Sequence, residues 1–379
     1  MRVLHVVPWF HPATAYGGPI QSTHGLCVAE ARSRRLRCEV RVLTTDANGP
    51  HAVLDVDTTR ELVLEERFSV RYCPRVGGEA ASPALLRHLP GYLRWADVVH
   101  LMSVYSFPTI PTLLACNLMG RPVVWSPRGM LQRWEASSKV ALKNAWDQVC
   151  RVVSRRGTTL HFTSQEEADE STRRFGGFPS VVIPNGVDLP ERADHVEGPG
   201  LRLLTLGRLH PIKGIENLIA ACGELRDRGF GPFSLTLAGE GDRAYTELLQ
   251  RQVAKLSLGA IVTFAGDVRG EAKERLFAAS DVLVAPSFRE NFGNAIAEAL
   301  AHQLPVIAGR GTPWAGLEIH DAGLWVKNDP ASLAAAIVRV AMMPRAEMGT
   351  RGRAWVTRAF GWDEVSAQMI AVYEGLLRP

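Results

Sequence analysis

The residue types best suited to chemistry in this sequence gather where glycines interrupt the chain. Gly207-Arg208-Leu209-His210-Pro211-Ile212-Lys213-Gly214 places two cations five residues apart on one loop. An arginine fork and a lysine point charge so spaced can clamp a diphosphate. The plain reading is a solvated turn with two surface cations, but the flanking glycines and the preceding apolar run favour anion binding. Further on, Ser287-Phe288-Arg289-Glu290-Asn291-Phe292-Gly293-Asn294 leads into a helix that carries Glu298. A loop carboxylate at Glu290 and a helix carboxylate at Glu298 can each accept hydrogen bonds from sugar hydroxyls. The amides of Asn291, Phe292, Gly293 and Asn294 can face phosphate, with Asn294 the expected N-cap. Glu298 also reads as an ordinary exposed helix residue, although Ala297 and Ala299 beside it point to a largely buried helix.

Two shorter clusters are weaker signals. Tyr16-Gly17-Gly18-Pro19 opens a helix, where two glycines let the backbone approach an anion. Gly239-Glu240-Gly241-Asp242 sets a glycine-flanked acid where it can meet a ribose or a base. Each reads equally well as a plain turn.

These clusters need elements to hold them. With 379 residues, two domains are expected rather than one core. Short β-branched runs alternate with helical patterns, the mark of parallel α/β sheets. Strands are predicted at 3–7, 40–44, 69–73, 98–101, 123–126, 159–162 and 181–183, with helices at 20–31, 108–118 and 139–153. A second series covers 201–206, 234–238, 261–264, 282–285 and 305–308. The turn at Pro184-Asn185-Gly186 and the polar stretch to Gly200 mark the boundary. The domains are therefore 1–190 and 196–362. Two such halves form a cleft, and ligands sit beyond the carboxyl ends of the strands.

Composition narrows the classes. A hydrophobic content of 46% and the lack of low-complexity tracts exclude disorder. A net charge of +4 is too small to imply nucleic acid. The six cysteines show no zinc-ligand spacing and read as buried thiols. The start breaks at Pro8 and His11, so it reads as a first strand rather than a signal peptide. No apolar run is long enough to span a bilayer. A cytoplasmic location is expected.

On these motifs the chain resembles the retaining GT-B glycosyltransferases of family GT4 (glycosyl transferases group 1). The matching pieces are the Gly-Gly loop, IPNGVD at 183–188, GRLHPIKG, AGEG, FAGDV at 264–268, the E-x7-E pair within SDVLVAPSFRENFGNAIAEALA, and the FGWDEVSAQMIAVYEGLL tail. The resemblance implies two Rossmann-like domains facing a deep cleft, the first for the acceptor and the second for a nucleotide-diphosphate sugar. A tail helix at about 362–377 would cross back, so that 363–379 packs on the first domain. Arg208 and Lys213 would bind the donor phosphates, Glu298 the ribose and Glu290 the transferred sugar. Gly17, Gly18, Gly239, Glu240 and 291–294 would line the donor, and Val268 would touch the base.

One departure concerns the reacting end. Where many relatives carry a histidine after the fifth strand, this chain has Ser126-Pro127-Arg128-Gly129. Arg128 there can stabilise the leaving phosphate or hold an anionic or O6-bearing sugar. It reads alternatively as a structural ion-pair residue. His100 lies toward the sugar or acceptor side by position, and equally reads as a satisfied core histidine. Asp55-Val56-Asp57 spells a metal-binding signature of another glycosyltransferase fold, but it lacks the flanking strand. The cation pair already supplies a metal's charge, so no metal or other cofactor is expected.

The implied activity is transfer of a hexose-type sugar from a UDP- or GDP-linked donor to a saccharide or lipid-linked saccharide, in bacterial polysaccharide or glycoconjugate biosynthesis. A sugar-nucleotide epimerase or hydrolase, or a non-catalytic nucleotide-sugar-binding protein, are the alternatives. The basic groups Arg32, Arg34, Arg35 and Arg37, and Arg128, Arg133, Lys139, Lys143, Arg151, Arg155 and Arg156 with Trp134 and Trp146, read first as solvated helix faces. A second reading docks them on anionic headgroups at the inner face of the cytoplasmic membrane.

Overall fold

Runs such as Val40-Arg41-Val42-Leu43 and Val282-Leu283-Val284 suit strands covered by helices on both faces. In the computed structural model they build two sheets. The structure describes every residue except 16, 79, 133–139, 155–156, 192–195, 197 and 379. The chain divides into two compact units, Met1–Gly186 with Trp362–Pro379, and Val187–Gly361.

In the first unit the strands are β1 (Arg2–Val6), β2 (Glu39–Thr45), the small hairpin β3 (Ala47–Asn48) and β4 (Ala52–Val53), then β5 (Leu62–Glu65) and β6 (Phe68–Cys73). They continue with β7 (Val98–Met102), β8 (Val123–Ser126), β9 (Thr158–Phe162) and β10 (Ser180–Val182). The main sheet has the order β10-β9-β8-β7-β1-β2-β6-β5. Its pairings are parallel apart from β5, which runs antiparallel to β6 at the edge. That edge strand has no strong sequence signal, because Val63 and Leu64 face solvent rather than a core.

Alternate residues of β1 feed opposite faces: Leu4 and Val6 join one buried cluster, and Val3 joins the other. The second cluster is closed by the C-terminal helix Trp362–Leu377, which lays Val365, Met369, Ile370 and Tyr373 against the sheet. Burying each such aliphatic side chain is worth roughly 1.5–3 kcal/mol relative to exposure. At its start, Trp362 rests flat on the backbone of Gly25 and Gly186. A Cβ at either glycine would lie 2.1 Å from the indole, so no larger residue fits there unless the ring moves.

The second unit holds β11 (Leu201–Leu206), β12 (Phe233–Ala238), β13 (Val262–Gly266), β14 (Val282–Ala285), β15 (Val306–Gly309) and β16 (Gly323–Val326). They pair in the order β13-β12-β11-β14-β15-β16, all parallel. The strand order reverses between β11 and β14, the topological switch at which such sheets bind ligands. The unit begins at Val187, before the polar stretch expected to divide the chain. Val187 is buried, and its amide donates to the Phe360 carbonyl at 2.8 Å, so packing claims it for the second core.

No helix among the described residues is long and apolar enough to cross a membrane. All six cysteines are buried and free.

Candidate functional site

The residues that follow β11 and β14 meet at the switch point of the second sheet. After β11 the chain makes a short 3-10 turn, Pro211–Lys213, capped by His210, whose Nδ1 accepts from the Ile212 amide at 3.2 Å. This turn carries Lys213 to the β14 loop, where its ammonium pairs directly with Glu290. Ser287 donates to the same carboxylate oxygen at 3.0 Å. The loop is further pinned by Phe288 N–H to Ile212 O at 2.8 Å and Glu290 N–H to Gly311 O at 2.9 Å. Glu290 is thus a fixed carboxylate, about four-fifths shielded from solvent.

Arg208 is different. It is exposed, and among the described residues no hydrogen-bond or ion-pair partner engages it. Burial lowers the His210 pKa, and the charges of Arg208 and Lys213 lower it further, so the loop is electropositive. An uncommitted guanidinium beside a lysine already holding its carboxylate can receive an anion with little rearrangement.

The glycine loops stack alongside. Gly207 N–H donates to Ala238 O at 2.9 Å, Leu209 N–H to Glu240 O at 2.8 Å, and Gly239 N–H to Gly266 O at 2.7 Å. A Cβ on Gly239 would lie 2.0 Å from the Gly207 carbonyl, and its φ of +138° also disfavours a side chain. Gly239→Ala should therefore cost about 1–3 kcal/mol of overpacking. A thermal denaturation midpoint equal to wild type would contradict this tight stacking. Glu240 points outward and is exposed, whereas Val268 packs against the cluster that includes Ile296 and Ala297.

The helix Asn294–Ala301 starts one residue earlier than capping preference suggested. Gly293, with φ +89°, is the N-cap and supplies no side-chain bond, so Asn294 is the first helical residue rather than the cap. Phe292 is the reason. It is buried against Trp314 and Phe360, and the Trp314 indole N–H donates to its carbonyl. That anchorage leaves the chain a tight left-handed step at which glycine is favoured. Glu298 follows one turn later, its Oε1 3.1 Å from the ammonium of Lys273.

The comparisons with known proteins agree with this geometry. Residues 200–342 match the family Glycosyl transferases group 1, and residues 28–191 match Glycosyltransferase Family 4. A D-inositol 3-phosphate glycosyltransferase of Streptomyces scabiei is 30% identical, over 83% of this chain and 74% of its own. The chain belongs to glycosyltransferase family 4. The sucrose-phosphate synthase of Thermosynechococcus elongatus superposes with a TM-score of 0.76 at 21% identity, covering 99% of this chain and 98% of that one. HepE of Anabaena, solved with UDP-glucose, gives 0.70 at 19%, covering 99% and 100%. These likenesses identify the two Rossmann-like units as the GT-B fold.

In the first unit of this glycosyltransferase, Gly17 (φ +66°) caps the helix Gly18–Arg32 directly after the β1 loop; Tyr16 lies outside the described residues. Arg128 also has left-handed backbone, φ +53°. Its guanidinium donates to Asn185 Oδ1 at 2.5 Å, and its Nε is buried with no partner among the described residues. Burial pulls its pKa down, partly offset by the Glu167 carboxylate. Glu167 in turn accepts from the Gly129 amide at 2.5 Å and holds this loop. Among the described residues Arg128 forms no direct ion pair, so the structural ion-pair reading does not describe it.

His100 requires correction. It is fully buried in β7, with Nδ1 2.5 Å from the Tyr373 hydroxyl and Nε2 2.6 Å from Ser126 Oγ. Both ring nitrogens are taken by protein groups, so it has none to offer a sugar. Asp57 is likewise occupied, accepting from the Thr59 amide at 2.8 Å and hydroxyl at 2.6 Å in a local turn.

The basic groups are mostly committed. Arg32 pairs with Glu65, Arg35 with Glu374 and Arg37 with Glu66. Lys143 lies over the Tyr105 ring, Arg151 donates to Arg174 O, and the Trp146 indole donates to Val104 O at 2.8 Å. Arg133, Trp134, Lys139, Arg155 and Arg156 lie outside the described residues. Lys273 carries no local pattern, because it matters through Glu298 on another helix, and Asn185 is legible only as a turn residue, because its partner Arg128 lies 57 residues away; Ser287 sits in the Glu290 motif and bonds that residue three positions on.

Proposed function

We propose that this glycosyltransferase moves a hexose-type sugar from a UDP- or GDP-linked donor to a saccharide or lipid-linked saccharide, with retention of anomeric configuration and without a metal. It would serve bacterial polysaccharide or glycoconjugate biosynthesis. The observation that carries the reading is the exposed Arg208, unpartnered among the described residues, beside the Lys213–Glu290 pair at the switch point of the second sheet.

In the proposed reaction the bond between the anomeric carbon and the β-phosphate oxygen breaks. The nucleoside diphosphate leaves with the electron pair, its charge stabilised by Arg208, Lys213 and the amides of residues 291–294. The acceptor hydroxyl bonds to the anomeric carbon from the face the phosphate leaves, and its proton passes to the departing phosphate. Glu290 orients the sugar hydroxyls and Glu298 the ribose; Arg128 is a fixed, buried cation within the first unit. Two cations already facing the phosphates make a divalent ion unnecessary.

A thermal-shift screen against UDP-, GDP- and ADP-sugars should select a UDP- or GDP-sugar, since ligand binding raises the unfolding temperature by mass action. Transfer with that donor is then followed by proton NMR in the presence of EDTA. An inverted product, or activity abolished by EDTA and restored by a divalent ion, would refute the corresponding part of the proposal. Release of nucleotide or isomerised sugar as the sole products, with no transfer to any acceptor offered, would favour the hydrolase or epimerase alternative.

A further inference from the structure

We propose that Lys273 is a positioning residue for the ribose of the donor nucleotide, acting through Glu298; this rests on the reading that Glu298 receives the ribose hydroxyls. Lys273 stands on the helix Gly270–Ala278, which begins just beyond Val268. Its ammonium reaches across to Glu298 Oε1 at 3.1 Å, and both side chains are about four-fifths shielded from solvent. The other carboxylate oxygen, Oε2, has no hydrogen-bond partner among the described residues. The arrangement assigns one oxygen to the lysine and leaves the other open to a ligand hydroxyl.

Two effects follow from elementary chemistry. A glutamate with three rotatable side-chain bonds samples many directions unless something holds its head. Lys273 holds it from the neighbouring helix, so the free oxygen is aimed before the nucleotide arrives. An unpaired carboxylate would also repel a diphosphate close by, and the ammonium cancels that charge locally. Glu290 is served in the same way by Lys213, so both carboxylates of the E-x7-E pair are held by a lysine from another segment.

The competing explanation is that Lys273 only fastens its helix to the helix Asn294–Ala301. A second pair does that independently: Glu274 Oε2 lies 2.6 Å from His302 Nε2, just past the end of the latter helix. It supplies the control, because Glu274 does not touch the Glu298 carboxylate.

Calorimetry with UDP, GDP and ADP, and with the 2′-deoxy and 3′-deoxy counterparts of whichever binds, separates the cases. Wild type should prefer the ribonucleotide over at least one deoxy form. Lys273→Met should weaken ribonucleotide binding by about tenfold, leave the deoxy form nearly unchanged, and so erase most of the preference. Lys273→Arg should restore it, and Glu274→Gln should keep it at the wild-type ratio. A wild-type ratio in Lys273→Met overturns the proposal, as does an equal loss of preference in Glu274→Gln. Glu298→Gln distinguishes the underlying reading. If it erases the preference while Lys273→Met does not, the role of Lys273 fails and the ribose reading survives. If Glu298→Gln or wild type itself shows no effect of the ribose hydroxyls, the ribose reading fails and the proposal with it.

Discussion

Lys213→Ala is expected to lower kcat/KM for sugar transfer by well over a hundredfold, and more than Arg208→Ala does. Removing a single preorganised donor to developing negative charge costs about 2.7–4 kcal/mol, or two to three powers of ten in rate. Both variants lose that much if the cations face the leaving diphosphate. Lys213→Ala loses more, because it also strips the counter-ion from Glu290, leaving a largely shielded carboxylate beside an incoming anion. The double variant Lys213→Ala/Glu290→Gln should therefore bind the nucleoside diphosphate better than Lys213→Ala alone, while remaining a poor catalyst. Arg208 is exposed and unpartnered among the described residues, so Arg208→Ala should leave thermal stability close to wild type. Steady-state kinetics with the selected donor, alongside circular dichroism, checks each step. Full activity in either alanine variant would remove these residues from the phosphate site. A double variant no better than Lys213→Ala at binding would show that Glu290 repulsion is not the added penalty.

The sequence made the glycine-flanked loops legible for a physical reason. Parallel strands end where ligands bind, so an apolar run followed by a glycine-flanked cation or acid states both position and chemistry. The clusters at 207–214 and 287–298 follow β11 and β14, the two strands flanking the switch point. What stayed hidden depends on partners far along the chain. Lys213 and Glu290 are 77 residues apart, and nothing local marks them as a pair. Lys273 is one cation among many on exposed helices until Glu298 is seen across from it. His100 shows the limit most clearly. A strand buried on both faces has no outward side to read from alternation, so its place near a strand end suggested access. The Tyr373 hydroxyl, brought in by a helix 273 residues later, fills the space instead. At the helix carrying Glu298, the preference of asparagine for N-caps gave way to the burial of Phe292, which set the turn at Gly293.

Lowering the pH from 6.5 toward 4.5 should destabilise the first unit, with buried histidines supplying the penalty. His161 Nε2 lies 2.8 Å from the Ile183 carbonyl, which can only accept, so that nitrogen carries the proton. Its Nδ1 then accepts from Ser126 at 2.6 Å, and Ser126 accepts from His100 Nε2 at 2.6 Å. His100 Nδ1 lies 2.5 Å from the Tyr373 hydroxyl, whose proton goes to the buried Glu30 carboxylate at 2.8 Å, while His5 stacks on the His100 ring with centroids 4.9 Å apart. A second proton on either His100 or His161 would place a charge in a fully buried cluster and add it to that of Arg128. Burial first, and the Arg128 charge second, bring the His161 pKa down to about 3. His100 is driven well below its ordinary value by burial, then by its neighbours His5, His161 and Arg128. The sign follows from these depressed values. Below pH 6.5 the unfolded chain takes up protons that the folded chain refuses, so stability falls with pH at about 1.4 kcal/mol per unit per histidine. Between pH 6.5 and 4.5 His161 alone contributes about 2 kcal/mol. Asp57, Asp97 and Asp329 have lowered pKa values and begin to subtract only near their unfolded range, around pH 4, so the window belongs mainly to histidine. His161→Gln, which cannot titrate, should flatten the decline of unfolding temperature between pH 6.5 and 4.5. Arg128→Met should flatten it less, because the charge is the smaller cause. Equal slopes in wild type and His161→Gln would mean that the buried ring does not govern acid sensitivity in this unit.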